Sequence, residues 1–119
     1  MKEFNKVDLG SVKIHKKVIA EIAYNAIEEL DGIRLGKGNF LNGLAELFNV
    51  SSGYPGVSII IDKNNQVIVD VRVSVRYGIN IPDAAKQAQD VVRRAIERTV
   101  DIDLKDVNVN IQGIEKGES

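Results

Sequence analysis

The stretch VSIIIDKNNQVIVDVRVSVRY, residues 57–77, decides the fold. Val57, Ile59 and Ile61 alternate with Ser58, Ile60 and Asp62. Val67, Val69, Val71, Val73, Val75 and Tyr77 then alternate with Gln66, Ile68, Asp70, Arg72, Ser74 and Arg76. A period of two is the mark of a half-buried strand, so this is a hairpin. Its register can be argued. A two-residue loop at Asn64-Asn65 would put the two main apolar sets on opposite faces. A three-residue loop, Lys63 to Asn65, pairs Ile61 with Val67, Ile59 with Val69 and Val57 with Val71, all on one face. Burial fixes register, so the three-residue loop is expected, with Asn65 taking the left-handed position. Tyr77 is expected on the apolar face.

Moving outward, Asn80-Ile81-Pro82-Asp83 reads as a helix start, with proline in the first turn and an acid at the positive end of the dipole. Ala84, Ala85, Ala88, Val91, Val92, Ala95, Ile96 and Thr99 trace one face of that helix. Val107, Val109 and Ile111 alternate with Asn108, Asn110 and Gln112, a last strand before a polar tail. Upstream, Val18, Ile19, Ile22, Ala23, Ala26, Ile27 and Leu30 fall at helical spacing, and Asp31-Gly32 ends the helix. Val12 and Ile14, alternating with Ser11, Lys13 and His15, suggest a short strand before it. Residues 33–56 are the least regular and hold five of the ten glycines. Phe40, Leu41, Leu44, Leu47 and Phe48 within them fit a small inserted helix. The predicted fold is α+β: two layers, a mixed or antiparallel β-sheet of about four strands against two amphipathic helices, plus the small inserted helix. The order strand, helix, hairpin, helix, strand is compatible with a ferredoxin-like split βαβ, and other sheet orders stay open.

Composition agrees. Valine and isoleucine number 15 each against 7 leucines in 119 residues, which suits an aliphatic sheet core. The length is one domain. With no cysteine there is no disulfide framework and no thiolate metal site. A net charge of −1 argues against a strongly cationic nucleic-acid binder. No apolar run exceeds three residues, so no membrane span and no signal-peptide core is expected. Together these predict a soluble, intracellular protein. Residues 1–9 read as a flexible lead-in, 10–114 as the domain and 115–119 as a polar tail.

The chemistry-bearing patterns are thin. Gly36, Gly38 and Gly43 lack the Lys-Ser/Thr of a phosphate loop. His15 is the only histidine and has no orienting partner nearby in sequence. Asp101, Asp103 and Asp106 lack the glycine and closing glutamate of a calcium loop. Gly53-Tyr54-Pro55-Gly56 matches the bare GxxG of a KH domain, but a strand follows and the central pair carries no cation. Arg93, Arg94 and Arg98 could form a basic edge, diluted by Asp90 and Glu97. No cofactor and no metal is implied. One sheet face remains: Lys13, Asp70, Arg72, Ser74, Arg76, Asn108, Asn110 and Gln112, polar and of mixed charge. It reads as solvated, or as a docking face for another copy or a partner. The apolar side of the insert, Phe40, Leu44, Leu47 and Phe48, is the competing docking site.

Several segments together resemble a known family. They are Gly10-Ser-Val-Lys-Ile14, Val18-Ile-Ala-Glu-Ile-Ala23, Val73-Ser-Val-Arg-Tyr-Gly-Ile-Asn-Ile-Pro82, Gln89-Asp-Val-Val-Arg-Arg-Ala-Ile96 and Val107-Asn-Val-Asn-Ile-Gln-Gly-Ile114. The chain resembles the alkaline shock proteins, envelope stress response proteins of Gram-positive bacteria. The resemblance implies a non-enzymatic cytoplasmic protein with no catalytic residue to carry over. It implies a role in cell-envelope homeostasis, with some members gathered at the membrane by a membrane-anchored protein partner; self-association and docking to such a partner are the expectation for this chain. The usual glycine after the last helix is absent here, where Val100-Asp101 follows Thr99. A small RNA-binding module using the Gly53–Gly56 loop or the Arg93, Arg94 and Arg98 edge is the alternative.

Overall fold

The computed structural model describes residues 12–36 and 54–116, with the side chains of 12–15 left out. In chain order the elements are α1 (Val12–Glu28), β1 (Ile33–Leu35), β2 (Val57–Ile61), β3 (Val67–Arg76), α2 (Ile81–Thr99) and β4 (Leu104–Glu115). The expected lead-in and the expected small helix over Phe40–Phe48 lie outside the described residues.

The hairpin forms as its alternation dictates. Val57 stands opposite Val71, Ile59 opposite Val69 and Ile61 opposite Val67. Asn65 has φ 65°. Asp62 organises the turn in a way the alternation does not reveal. Its Oδ1 accepts from the Asn64 amide at 2.8 Å and the Gln66 amide at 3.0 Å, an Asx turn.

β3 is the centre of a mixed four-stranded sheet. β4 runs parallel to it along one whole edge, from Val67–Leu104 to Arg76–Glu115, with register shifts next to Val67 and next to Val73. A parallel pair needs a long crossover, and α2 supplies it. β1 and β2 share the other edge, both antiparallel, β1 against Val73–Val75 and β2 against Val67–Val71. They meet opposite Arg72. There the Gly36 amide donates to the Arg72 carbonyl, and the Arg72 amide donates to the Gly56 carbonyl, both at 2.9 Å. β1 and β2 are therefore two pieces of one edge, and the chain leaves at Gly36 and returns at Gly56. Both glycines have positive φ, 58° and 79°. A Cβ on Gly56 would stand 2.7 Å from the Gly36 nitrogen, so only glycine fits this seam.

Both helices cover one face, α1 over β1 and β2, α2 over β4, and they touch each other. The core is aliphatic: Ile19, Ile27, Val57, Val69, Val71, Val75, Val92 and Ile96 are almost fully buried. Each such side chain contributes roughly 1.5–3 kcal/mol. α2 starts as expected, with the Asn80 side chain accepting from the Asp83 amide at 3.0 Å. Among the described residues, no helix is long and apolar enough to cross a membrane.

Three expectations need correction. The predicted strand around Val12 and Ile14 is helix, since α1 begins at Val12. Two apolar residues within five set no period, and Val12 also lies on the helical spacing of Ile19, Ala23 and Ile27. The sheet keeps four strands because Ile33–Leu35, read as irregular, supplies β1; the order is thus helix, strand, hairpin, helix, strand, not that of a split βαβ. Tyr77 is not on the apolar face: β3 ends at Arg76, and Tyr77 is 71% exposed in the following turn.

Candidate interaction face

The helices leave the other face of the sheet uncovered by any described element. Side chains on it follow from register. β3 presents Asp70, Arg72, Ser74 and Arg76. Beside them on β4 stand Asn108, Asn110, Gly113 and Glu115. On the other side stand Ser58, opposite Asp70, and Arg34, opposite Ser74. Arg72, Arg76, Asn108 and Asn110 are thus brought together as the alternation predicts. Lys13 is not among them, because it belongs to α1. Ser74, expected to be outward and solvated, is only 7% exposed, sunk among its longer neighbours.

Two members of the face escaped the sequence reading. Arg34 was hidden in the segment read as irregular, although Ile33-Arg34-Leu35 does alternate. Glu115 has the parity of the core residues Val107, Val109 and Ile111. The register shift between Ile111 and Gly113 skips Gln112 and turns Glu115 to the face of Arg76. The two meet across the central strand: Arg34 Nη1 lies 3.7 Å from Glu115 Oε1. Arg76 Nη2 pairs with Asp31 Oδ2 at 3.4 Å, in the turn that follows α1. These side chains are largely exposed, so each pair is worth about 0–1 kcal/mol. Asn110 Nδ2 donates to Asp70 Oδ1 at 2.9 Å. Arg72 Nη2 is buried without a hydrogen-bond partner. At the end of the sheet an open cleft of about 570 Å³ is lined by Leu30, Ile33, Leu35, Arg34, Arg76 and Glu115, among others.

Several of the remaining candidates have structural occupations. Gly56 of the GxxG pattern is spent in the seam against Gly36. Tyr54 packs on Tyr24, ring centres 5.1 Å apart. Gly53 lies outside the described residues, as do Phe40, Leu44, Leu47 and Phe48. Arg93 pairs with Glu97 and donates to the Lys105 carbonyl, both at 3.4 Å, while Gln89 Nε2 donates to the Val107 carbonyl at 3.0 Å. Both residues of α2 thus reach onto the backbone of β4. Asp103 accepts from Gln66 at 3.2 Å. His15 belongs to α1. Among the described residues no three His, Cys, Asp or Glu side chains group as metal ligands would. Among the described residues Asp62 has a displaced pKa. The Gln66 amide, with help from the Asn64 amide and the Lys105 ammonium, holds its carboxyl below the usual aspartate value, against an opposing push from desolvation.

Comparison with known proteins fits this picture. The uncharacterized protein YqhY of Bacillus subtilis is 31% identical over 107 residues, covering 90% of this chain and 78% of its own length. A stress response regulator gls24 homolog of Streptococcus pyogenes is 29% identical over 118 residues, 98% of this chain; the chain spans 65% of that relative's length. The uncharacterized protein YloU of Bacillus subtilis is 27% identical over 107 residues, 88% of each chain. No solved structure gives a significant match. The role named among these relatives is stress response regulation rather than a catalysed reaction. Residues 5–116 match the alkaline shock protein 23 family, described as having a cell envelope-related function, and the chain belongs to that family.

Proposed function

We propose that the chain is a non-enzymatic scaffold of the envelope stress response, which self-associates and is held at the inner face of the cell membrane by a membrane-anchored protein partner. One observation carries this reading. The sheet leaves a broad face of hydrogen-bonding and charged side chains, Arg34, Arg72, Arg76, Asn108 and Asn110, and no convergent nucleophile, base or ligand set accompanies it among the described residues. Such a surface suits reversible contact with another protein. The apolar residues Phe40, Leu44, Leu47 and Phe48 are the second candidate for the docking element.

The test is a tagged pull-down from native cells, with membrane and soluble fractions separated and each treated with or without RNase. A nuclease-resistant integral membrane partner is the expected result. Material lost on RNase treatment, with nothing in the membrane fraction, would replace this reading by RNA binding. Arg72→Glu with Arg76→Glu should abolish capture in a folded protein. If Leu44→Asp with Leu47→Asp abolishes it instead, the insert is the docking element.

A further inference from the structure

We infer that α1 is a dimerisation helix, whose outer face pairs antiparallel with α1 of a second copy of this chain, Lys17 of each against Glu28 of the other. This rests on the self-association proposed above and names its surface. The two helices treat their own dipoles in opposite ways. α2 carries Asp83 in its first turn and Arg98 in its last, the favoured arrangement. α1 has no acid in its first turn and no base in its last. Its bases, Lys13, Lys16 and Lys17, all precede its acids, Glu21 and Glu28, and Glu29 follows directly. Bases toward the positive end and acids toward the negative end work against the helix that carries them. α2 also pairs its charges internally, Lys86 with Asp90 and Arg93 with Glu97. Lys17, Glu21, Glu28 and Glu29 are all exposed and form no ion pair with another described residue.

A second α1 running the other way removes the conflict. A helix basic at one end and acidic at the other is complementary to its own reversed copy. The sheet and α2 take one side of α1, where Ile19, Ala23 and Ile27 are buried, so the outer side is open to that copy. Lys17, Glu21, Tyr24 and Glu28 recur at intervals of three and four residues and therefore line one face. A two-fold axis crossing between Ile22 and Ala23 lays Lys17 of each copy beside Glu28 of the other. Each acidic end then lies against the other copy's positive dipole end, where acids are favoured. The same contact covers Val18, which is 38% exposed on the adjoining stripe. The occupant is a second copy and not a nucleic acid, because Glu21, Glu28 and Glu29 would repel phosphate whereas the copy uses both signs. Exposed pairs of this kind are weak and screened by salt, so the dimer is reversible.

The experiment is sedimentation velocity on the full chain over a range of concentrations, at low and at high salt. A reversible dimer that weakens as salt rises is expected. Lys17→Glu and Glu28→Lys, each alone, bring like charges together and should each weaken the dimer by about ten-fold. An equimolar mixture of the two single variants should recover the parent's association, because each supplies the charge the other lacks. The double variant Lys17→Glu, Glu28→Lys should also dimerise like the parent, with its charges now aligned to the helix dipole. Arg94→Glu makes the same charge change on α2 and should leave the dimer unchanged. A monomer at every concentration, single variants that associate like the parent, or a mixture that fails to recover would overturn the inference. The two readings fail separately. A chain that captures a membrane partner yet associates independently of Lys17 and Glu28 sinks this inference alone, whereas a salt-sensitive dimer without any captured membrane partner sinks only the docking reading.

Discussion

The two edges of β3 are finished in opposite ways. On one, the partner strand is broken opposite Arg72, and two glycines let the chain depart and return at a single point. On the other, one strand, β4, runs the length of β3 with two register shifts, and Gln89 and Arg93 of α2 reach over to its carbonyls. The first edge accommodates an insertion at no loss of register. The second shows how a long outer strand is kept from recruiting further strands, by charged residues, register irregularities and side-chain caps.

The seam is the place to break this arrangement. Gly56→Ala combines a φ of 79° with a Cβ that meets the Gly36 nitrogen at 2.7 Å and the Arg72 carbonyl at 3.1 Å. It should cost about 2–4 kcal/mol, read as a lowered midpoint in urea unfolding. Gly78→Ala is the control: its φ is 95° but nothing lies within 4 Å, so about 1 kcal/mol is expected. Deleting residues 37–56 should do less harm than Gly56→Ala. It joins Gly36 to Val57, leaving Leu35 opposite Val73 and Val57 opposite Val71. Cooperative unfolding with an unchanged β-sheet signal in circular dichroism would bear this out; a molten spectrum would show that the insert is part of the core.

On the β4 side the effects are smaller. Gln89→Leu removes the cap on the Val107 carbonyl and should cost about 1 kcal/mol. Its more telling readout is light scattering, where faster self-association is expected than for a surface control such as Gln87→Leu. The smallest effect concerns the hairpin turn. The folded Asp62 carboxyl is held below its ordinary value of 3.8, so its contribution is fully present above that pH and is lost as pH falls through the folded value. Asp62→Asn keeps an oxygen for the Asn64 and Gln66 amides but cannot titrate. Its stability curve should therefore be flatter than the parent's below about pH 4.

What the sequence made legible follows the same divide. The hairpin could be read in full because loop length, side-chain parity and the left-handed tolerance of Asn65 all point to one register. α2 was legible because Asn80, Pro82 and Asp83 mark its start beyond what hydrophobic spacing gives. β1 was not, because three residues next to glycines carry too little alternation to separate strand from loop. The parallel pairing of β4 was not either, since it depends on the path of α2 rather than on any residue in the strand. For the face, parity placed Arg72, Arg76, Asn108 and Asn110 correctly. It could not reach Arg34 without β1, nor Glu115 across the shift at Gln112, and Lys13 was misplaced along with the strand assigned to it.

Synthesis of the chain gives the central position of β3 a consequence in time. Both strands on its broken edge precede it, so they can close on it once it leaves the ribosome. Its other edge must wait for α2 and β4. At about 5–20 residues per second, that edge stays open for seconds on every nascent chain. The interval between Arg76 and Glu115 is then the vulnerable window, and a ribosome stalled within it would display the strand most able to capture a neighbour's.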